Sequence, residues 1–324
     1  MKAAALPAEE LAAIEPLIEE IEQWKRERDA VVLAHNYMTP DIFHTVADIR
    51  GDSLALAQQG ARTDARVIVM AGVHFMAETA KILSPDKTVL IPDLRAGCSL
   101  ASSITAGDIL ALRAQHPGVP VVTYVNTTAA VKAVSDVCCT SANVVQVVES
   151  LGAPTVMLLP DRFLAANVAQ QTDVEIITWP TGACEVHERF TGVQIRGLRS
   201  SYPEGISIVA HPECPTDVTA EADFVGSTTA MGAWLDAHRP QRVALITECS
   251  MADNLAVDHP DIEWVKPCNL CPHMKRITLT GIRDSLRDMR HEVEVDAEVI
   301  TGARRALDRM LAVGRGERVA AASK

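Results

Sequence analysis

The sequence predicts an α/β fold of three homologous three-layer αβα domains, with small parallel sheets arranged about a pseudo-threefold axis and an active site at the central domain junction. Three observations predict it: an apolar strand segment recurs as VVLAHNY, PVVTYVN and SIVAHPE, a hydroxyl residue follows each copy, and a cysteine follows after 60 to 63 positions. The copies lie 87 to 89 residues apart. Because solenoid repeats are shorter, this period indicates repeated small domains.

The predicted elements follow the same order in each copy. Residues 9–28 have apolar side chains at helical spacing and predict an amphipathic helix before the first strand. Residues 105–116 and 191–201 predict equivalent helices before the later copies. Each copy then has three apolar segments, which predict three buried strands of a parallel sheet. After the third cysteine, residues 280–290 predict a further helix, and a short strand with a helix over 293–312 closes the assembly.

The chain length agrees with several domains, because a single hydrophobic core rarely serves 324 residues. We predict a first domain over residues 1–103, which includes the N-terminal helix. The second domain covers 104–190. The third covers 191–324 and includes the closing helix and a frayed tail from residue 314.

Charge and hydropathy exclude two classes of partner. The chain has 42 acidic and 30 basic side chains and a formal net charge of −12, which repels a phosphate backbone and argues against nucleic acid. No apolar run reaches the roughly eighteen residues that a membrane span needs, and the N-terminus lacks a signal-peptide pattern. We therefore expect a cytoplasmic protein that acts on small molecules and has no membrane partner.

Polar side chains follow the predicted strands, at the edge where parallel α/β sheets bind their ligands. A hydroxyl residue at the start of the next helix could hold an anion with its side chain and the free backbone N–H groups. Three such places would suit a substrate with several carboxylates or a phosphate. The candidate residues are His35, Tyr37, Tyr124, Asn126, His211 and Glu213 at strand ends, and Ser53, Ser141 and Thr228 at helix starts. Glu78, Glu248 and Asn254 also lie near strand ends.

The eight cysteines of a chain in a reducing compartment are more often ligands or reactive thiols than disulfides. Cys98, Cys184 and Cys271 share one repeat position and are predicted to converge on a metal or an iron-sulfur cluster. A cubane cluster on three thiolates leaves one iron open as a Lewis acid. Zinc is the alternative, because the CxxH and CxxCxH spacings that begin at Cys184 and Cys268 suit a tetrahedral site.

Other cysteines have no counterpart in the other copies. Cys268 could be a spare thiol, a redox partner that forms a disulfide with Cys271, or a buried residue. Cys138, Cys139 and Cys249 are expected to be structural.

The chain resembles the quinolinate synthase A family across nearly its whole length. The matching motifs are AHNY at 34–37, GDS at 51–53, YVN at 124–126, CTSAN at 139–143, CEVH at 184–187, HPEC at 211–214, GST at 226–228, TECSM at 247–251 and CPHMK at 271–275. The resemblance implies condensation of iminoaspartate with dihydroxyacetone phosphate to quinolinate, a step of NAD biosynthesis, with loss of phosphate and two waters. It also implies a [4Fe-4S] cluster on Cys98, Cys184 and Cys271, and an L-aspartate oxidase as the upstream enzyme.

The resemblance also implies roles for individual residues. Tyr37 and Glu213 would move protons, and with His187 and Tyr124 they are the candidate catalytic residues. His35, Ser53, Ser141, His211 and Thr228 would hold carboxylates or phosphate, and Tyr124, Asn126 and His187 would shape the cleft. A glutamate between anionic substrates in a partly dry site should have a raised pKa. A zinc-dependent lyase or hydrolase and a non-catalytic dicarboxylate-binding protein remain as alternatives.

Overall fold

The computed structural model of the chain describes residues 6–317. It contains three four-stranded sheets in which all neighbouring strands are parallel, and helices flank each sheet. The predicted α/β class with its αβα domains is therefore confirmed, while the pseudo-threefold axis stays a prediction. Residues 1–5 of the first predicted domain and 318–324 of the predicted tail lie outside the described residues.

The first sheet consists of β1 (Ala30–His35), β2 (Ile49–Gly51), β3 (Val67–Ala71) and β4 (Thr88–Leu90), in the order β2-β1-β3-β4. Its helices are α1 (Ala8–Arg28), α2 (Pro40–Phe43), α3 (Ser53–Arg62) and α4 (His74–Leu83). β1 pairs with β3 from Ala30 opposite Val67 to Ala34 opposite Ala71. β3 is buried along its whole length, as expected for a central strand covered by helices on both faces.

The second and third sheets repeat this order of elements. The second consists of β5 (Val121–Tyr124), β6 (Val137–Cys139), β7 (Thr155–Leu159) and β8 (Glu175–Thr178), with α5 (Ala106–Gln115), α6 (Ala129–Ala133), α7 (Val144–Ser150) and α8 (Arg162–Ala169). The third consists of β9 (Ser207–Ala210), β10 (Phe224–Val225), β11 (Arg242–Ile246) and β12 (Glu263–Val265), with α9 (Gly192–Ser201), α10 (Thr216–Thr219), α11 (Thr228–His238) and α12 (Cys249–Ala256). The strand orders β6-β5-β7-β8 and β10-β9-β11-β12 match that of the first sheet.

Each sheet has one strand more than the three predicted from the sequence. The additional strands β2, β6 and β10 span two or three residues at a sheet edge, which is too short for an apolar pattern to reveal them. Each pairs with the first strand of its repeat and ends within three residues of the repeated hydroxyl residue. The pairing thus brings that hydroxyl to the carboxyl edge of the sheet.

The C-terminal segment ends in two helices, α13 (Leu279–Asp288) and α14 (Ala297–Val313). α13 packs against α1, and α14 packs against α6 and β6. The predicted strand after residue 293 is wrong, because this segment makes only an isolated antiparallel bridge, between Leu90 and Glu292. The bridge covers backbone groups of the edge strand β4 that would otherwise lack a partner in the sheet.

The hydrophobic core joins the first two repeats and leaves the third separate. Buried residues of the first repeat, of one face of the second sheet and of the C-terminal helices form one cluster, and a smaller cluster covers the other face of the second sheet. The third repeat has two clusters on opposite faces of its sheet, because alternate residues of β9 such as Ile208 and Val209 belong to different clusters. Among residues 6–317, no helix combines the length and the apolar composition needed to cross a membrane.

Candidate active site

A cavity lies where the carboxyl edges of the three sheets face one another. Its free space is small, about 70 Å³. All thirteen residues that the sequence predicted for the site line it: His35, Tyr37, Ser53, Cys98, Tyr124, Asn126, Ser141, Cys184, His187, His211, Glu213, Thr228 and Cys271. Because these residues come from all three repeats, no repeat contains the site by itself.

Two histidines at strand ends adopt the same local arrangement. His35 is the last residue of β1, and its Nδ1 accepts a hydrogen bond from the backbone N–H of Tyr37 at 3.2 Å. His211 directly follows β9, and its Nδ1 accepts from the backbone N–H of Glu213 at 3.3 Å. With Nδ1 as an acceptor, a neutral imidazole carries its hydrogen on Nε2. Both rings can therefore offer a donor to a bound oxygen.

The three hydroxyl residues lie near helix starts, with one difference from the prediction. Ser53 and Thr228 are the first residues of α3 and α11, whose N-terminal N–H groups can help to hold an anion. Ser141 instead lies three residues before α7, whose N-cap is Asn143. Ser141 therefore contributes its hydroxyl group from a turn.

A hydrogen-bonded network of buried side chains crosses the cavity wall. The phenol of Tyr124 donates to Oε1 of Glu213. Nδ1 of His187 lies 2.9 Å from Oε2 of the same carboxylate, although off the line of a regular hydrogen bond. Nε2 of His187 lies 2.9 Å from Oγ1 of Thr247, which is 2.6 Å from the phenol oxygen of Tyr37. The network thus connects Tyr37 to Glu213 across the three repeats.

The expected rise in the pKa of Glu213 is wrong. Burial does oppose ionisation of this carboxyl group, but the neighbouring His211 and His187 and the hydrogen bond from Tyr124 outweigh burial and lower its pKa. The sequence could not reveal the contacts with His187 and Tyr124, because these residues are 26 and 89 positions away from Glu213 along the chain. Glu213 is therefore an ionised acceptor in this structure.

Four other side chains of the cavity have pKa values that favour their neutral forms. Burial lowers the pKa of His35 to about 4 and that of His211 to about 3, against the opposing effect of nearby carboxylates. Burial and the charge of Glu213 raise the pKa of both Tyr37 and Tyr124 well above the usual value. The ionised Glu213 thus faces uncharged hydrogen-bond donors, and an arriving anion would favour protonation of the imidazoles.

The three repeat-position thiols lie on the same cavity. Burial raises the pKa of Cys98 to about 12 and also raises the pKa of Cys184 and of Cys271. Cys271 adds to the rise at Cys98, and Cys98 adds to the rise at Cys184, so the thiols are close enough to influence one another electrostatically. A bound cation would reverse this effect, because a coordinated thiol loses its proton. This donor set fits a thiophilic metal centre.

None of the three states expected for Cys268 is present, because it is exposed and is neither a spare thiol nor paired with Cys271. Cys268 forms a disulfide with Cys249, which was expected to be a structural thiol, and not with Cys271. The second zinc spacing is therefore not assembled, and Nε2 of His273 instead lies 2.9 Å from Glu185. The other part of the zinc hypothesis keeps support, because the ligand atoms of Cys184, His187 and Glu213 lie within 4.8 Å of one another.

Lys275, which lies behind the cavity, was missed as a functional candidate. Lys275 donates to the backbone oxygen of Tyr37 at 2.9 Å and lies 2.9 Å from Oε1 of Glu248. Glu248 in turn accepts from the backbone N–H of Cys271 at 3.3 Å. Thr247 was also missed, although it directly follows β11 at the carboxyl edge. His211 was identified because it directly follows β9, and the same criterion applied to β11 would have identified Thr247.

Comparison with known proteins gives one consistent result. The sequence profile of the family described as "Quinolinate synthetase A protein" matches residues 19–312. A protein of Mesorhizobium japonicum named quinolinate synthase 1 is 64% identical over 296 residues, which cover 91% of each chain. Proteins named quinolinate synthase are 62% identical in Xylella fastidiosa, over 91% of this chain and 87% of the relative, and 61% identical in Agrobacterium fabrum, over 96% and 90%.

Proposed function

The chain belongs to the quinolinate synthetase A family, and on that premise we propose that it condenses iminoaspartate with dihydroxyacetone phosphate to quinolinate. Phosphate and two waters leave in the reaction. One observation carries the proposal: the ten predicted acid, base and hydrogen-bonding residues, His187 among them, line the same cavity as the three thiols. Such a set of side chains suits two anionic substrates. The neutral imidazoles and the hydroxyl groups suit carboxylate and phosphate oxygens.

Cys98, Cys184 and Cys271 are the residues that would hold a [4Fe-4S] cluster. The fit rests on their shared cavity and on thiols that the surrounding protein keeps protonated until a cation binds. With three protein ligands, such a cluster would supply an open iron that acts as a Lewis acid toward a hydroxyl or carboxylate oxygen. The thiols reach the cavity from the segments after β4, β8 and β12, so all three repeats must be folded before they converge.

The anion-binding role belongs to His35, His211, Ser53, Ser141 and Thr228. Nε2 of each histidine is the free donor, because Nδ1 accepts from the backbone. Thr228 is also held by a 2.8 Å hydrogen bond from Asn36, which leaves its own hydroxyl hydrogen free for a ligand. The buried amide oxygen of Asn126 lacks a protein partner and can accept from a substrate hydroxyl or amine.

Proton transfer belongs to Glu213 and Tyr37. Glu213 is ionised and buried, so it can take a proton from carbon or nitrogen of the substrate. Tyr124 holds Oε1 of Glu213, and His187 lies against Oε2. Enclosure of both substrates in one small dry space would also protect the imine from hydrolysis.

The direct experiment is a two-substrate assay on protein purified without oxygen, with quinolinate measured as the product. We expect quinolinate, about four irons with sulfide per chain, and loss of that iron in Cys98→Ala, Cys184→Ala and Cys271→Ala. Cys138→Ala is the matched control, because this cysteine is buried in the sheet and does not line the cavity. Iron lost equally in the control, or no quinolinate from the iron-loaded protein, would contradict the proposal.

A zinc-dependent lyase or hydrolase is the second candidate, because Cys184, His187 and Glu213 could bind a single zinc ion. One zinc per chain in a colourless active sample would favour it. A dicarboxylate that binds and is recovered unchanged would favour a non-catalytic binding protein instead.

Several related expectations remain proposals. We propose a cytoplasmic location, with an L-aspartate oxidase to supply the unstable imine. The domain limits 1–103, 104–190 and 191–324 likewise stay a prediction. Since α14 from the third predicted domain packs against α6 and β6 of the second, limited proteolysis near residues 104 and 191 is the appropriate test.

A further inference from the structure

The segment before each repeated cysteine lies against the start of one helix, in the same way in all three repeats. The helices are α4, α8 and α12, which follow β3, β7 and β11. The first backbone N–H of α4 donates to the oxygen of Ala96 at 2.7 Å, and that of α8 donates to the oxygen of Gly182 at 2.9 Å. Asn269 forms an isolated parallel bridge with Glu248, directly before α12. Ala96, Gly182 and Asn269 each lie two residues before the cysteine, so the contact belongs to the repeat.

The N-cap residue of each of these helices also occupies one repeat position. It is Val73, Asp161 or Glu248, and it lies two residues after the end of the preceding strand. Two of the three N-caps are therefore acids, and both acids are buried. One accepting oxygen is enough to cap a helix, so the second oxygen of a carboxylate can bind another donor.

Glu248 uses its two oxygens in this way. Its Oε2 accepts from the backbone N–H of Ser250 at 2.8 Å and caps α12. Its Oε1 accepts from the backbone N–H of Cys271 at 3.3 Å. A single carboxylate thus joins the start of the helix to the cysteine of its repeat.

Asp161 has a similar arrangement in the second repeat. Its Oδ1 accepts from the backbone N–H groups of Phe163 and Leu164, both at 2.8 Å, and caps α8. Its Oδ2 is buried, and no donor of residues 6–317 reaches it in regular hydrogen-bond geometry. Burial and the charge of Glu213 raise the pKa of Asp161, whereas the backbone N–H of Cys184 opposes this rise as a hydrogen-bond donor. Because a buried acceptor without a partner is unfavourable, the N–H of Cys184 is the donor in place to satisfy this oxygen.

The sulfur atoms of the three cysteines repeat a pattern of their own. Burial raises the pKa of Cys98, Cys184 and Cys271, and in each case two backbone N–H groups oppose the rise, from the residues two and three positions later. Such hydrogen bonds favour a thiolate and therefore a bound metal. They depend on the orientation of the turn that follows the cysteine. A carboxylate that holds the N–H of the cysteine itself fixes where this turn begins.

We propose that Asp161 is a positioning residue for Cys184, as Glu248 is for Cys271: its Oδ1 caps α8, and its Oδ2 binds the backbone N–H of the cysteine, so that the sulfur is held toward the cavity before a metal binds. The inference rests on the proposed function, because it treats the three thiols as metal ligands. Cys98 has no such carboxylate, since Val73 occupies the equivalent position. A change at Asp161 should therefore act on the turn at Cys184 and leave the turn at Cys98 in place.

The first test uses Asp161→Asn on iron-loaded protein purified without oxygen. Asparagine caps a helix as well as aspartate does, but its amide has only one oxygen and cannot also accept from Cys184. We expect iron to pass to a ferrous chelator about tenfold faster than from the wild type, since groups behind a metal ligand typically change metal affinity by about 10- to 100-fold.

Ser227→Ala is the matched control for a general effect of helix capping. Ser227 is buried, caps α11 by accepting from the backbone N–H of Ala230 at 3.3 Å, and does not line the cavity. This variant loses a cap and should release iron at the wild-type rate. Release at the wild-type rate from Asp161→Asn, or equally fast release from both variants, would overturn the proposal.

A second measurement needs no metal. In the metal-free full chain labelled with ¹⁵N-cysteine, the amides of the eight cysteines can be followed by NMR and assigned with single Cys→Ala variants. In Asp161→Asn the amide of Cys184 should exchange its hydrogen with solvent about tenfold faster, because it has lost a hydrogen bond. The amides of Cys98, Cys271 and Cys138 should keep their wild-type rates, and Cys138 reports global opening because it lies in β6.

Unchanged exchange at Cys184, or equal acceleration at Cys138, would overturn the proposal. Absence of iron from the wild type would instead count against the proposed function, and the exchange of the Cys184 amide would still decide the inference.

Discussion

Replacing Lys275 with methionine should destabilise the wall of the cavity that carries Cys271. Nζ of Lys275 donates to the backbone oxygen of Tyr37 at 2.9 Å and to Oγ of Ser250 at 2.6 Å, and it lies 2.9 Å from Oε1 of Glu248. Methionine preserves much of the apolar stem of lysine and removes only the charged end. The change therefore isolates the contribution of the ammonium group.

The magnitude follows from the burial of the carboxylate. The side chain of Glu248 is 0% exposed and that of Lys275 is 20% exposed. Removing one partner of a buried ion pair costs about 3–5 kcal/mol, because the other charge stays buried without compensation. Since water can reach Lys275 in part, we expect the lower end, about 3 kcal/mol. For a chain of this size that corresponds to a fall in Tm of roughly 6 °C.

The assay is urea and thermal unfolding of four proteins: wild type, Lys275→Met, Glu248→Gln and the double variant. The double variant should be more stable than Lys275→Met, since it no longer buries an unpaired charge. Lys266→Met is the matched control, because Lys266 pairs with Asp253 at 2.6 Å with both side chains at least 40% exposed. Its loss should stay below about 1 kcal/mol. A Lys275→Met loss no larger than that of the control, or a double variant less stable than both singles, would refute the reasoning.

Three further predictions concern the site and its support. Glu213→Gln should keep the bound iron and its absorbance but lower turnover by at least about 10²-fold; turnover at the wild-type rate would remove Glu213 from the chemistry. The free energy of unfolding should fall as the pH drops from about 6.5 toward 4, because the lowered pKa values of His35 and His211 let the unfolded chain bind protons first, at roughly 1.4 kcal/mol per pH unit for each histidine. Replacing both histidines with asparagine should make the free energy of unfolding less dependent on pH in this range. An unchanged pH dependence would show that His35 and His211 are not its cause. Gly182→Ala should lower stability and iron content, since the added Cβ would lie 2.0 Å from a backbone oxygen. Gly97→Ala should have little effect, because its Cβ would lie 3.6 Å from the nearest neighbouring atom. Similar losses in the two variants would contradict this steric explanation.

The repeat period carried most of the information about the site. Residues at one repeat position occupy one place in each sheet, so the register of Cys98, Cys184 and Cys271 predicted their shared cavity before any coordinates. The same logic placed His35 and His211, whose Nδ1 atoms make equivalent hydrogen bonds in two repeats. Features that broke the register were missed, among them the disulfide partner of Cys268.

Chain order, apolar spacing and residue type determined the α/β class, the three parallel sheets and the residues at their carboxyl edges, because these depend on interactions within a repeat. Tertiary structure alone decided the lowered pKa of Glu213, the Lys275 and Glu248 pair and the bridging position of Thr247. Each of these depends on contacts of a few ångströms between residues distant along the chain. Electrostatic and hydrogen-bond energies change steeply over such distances, and no local sequence pattern specifies them.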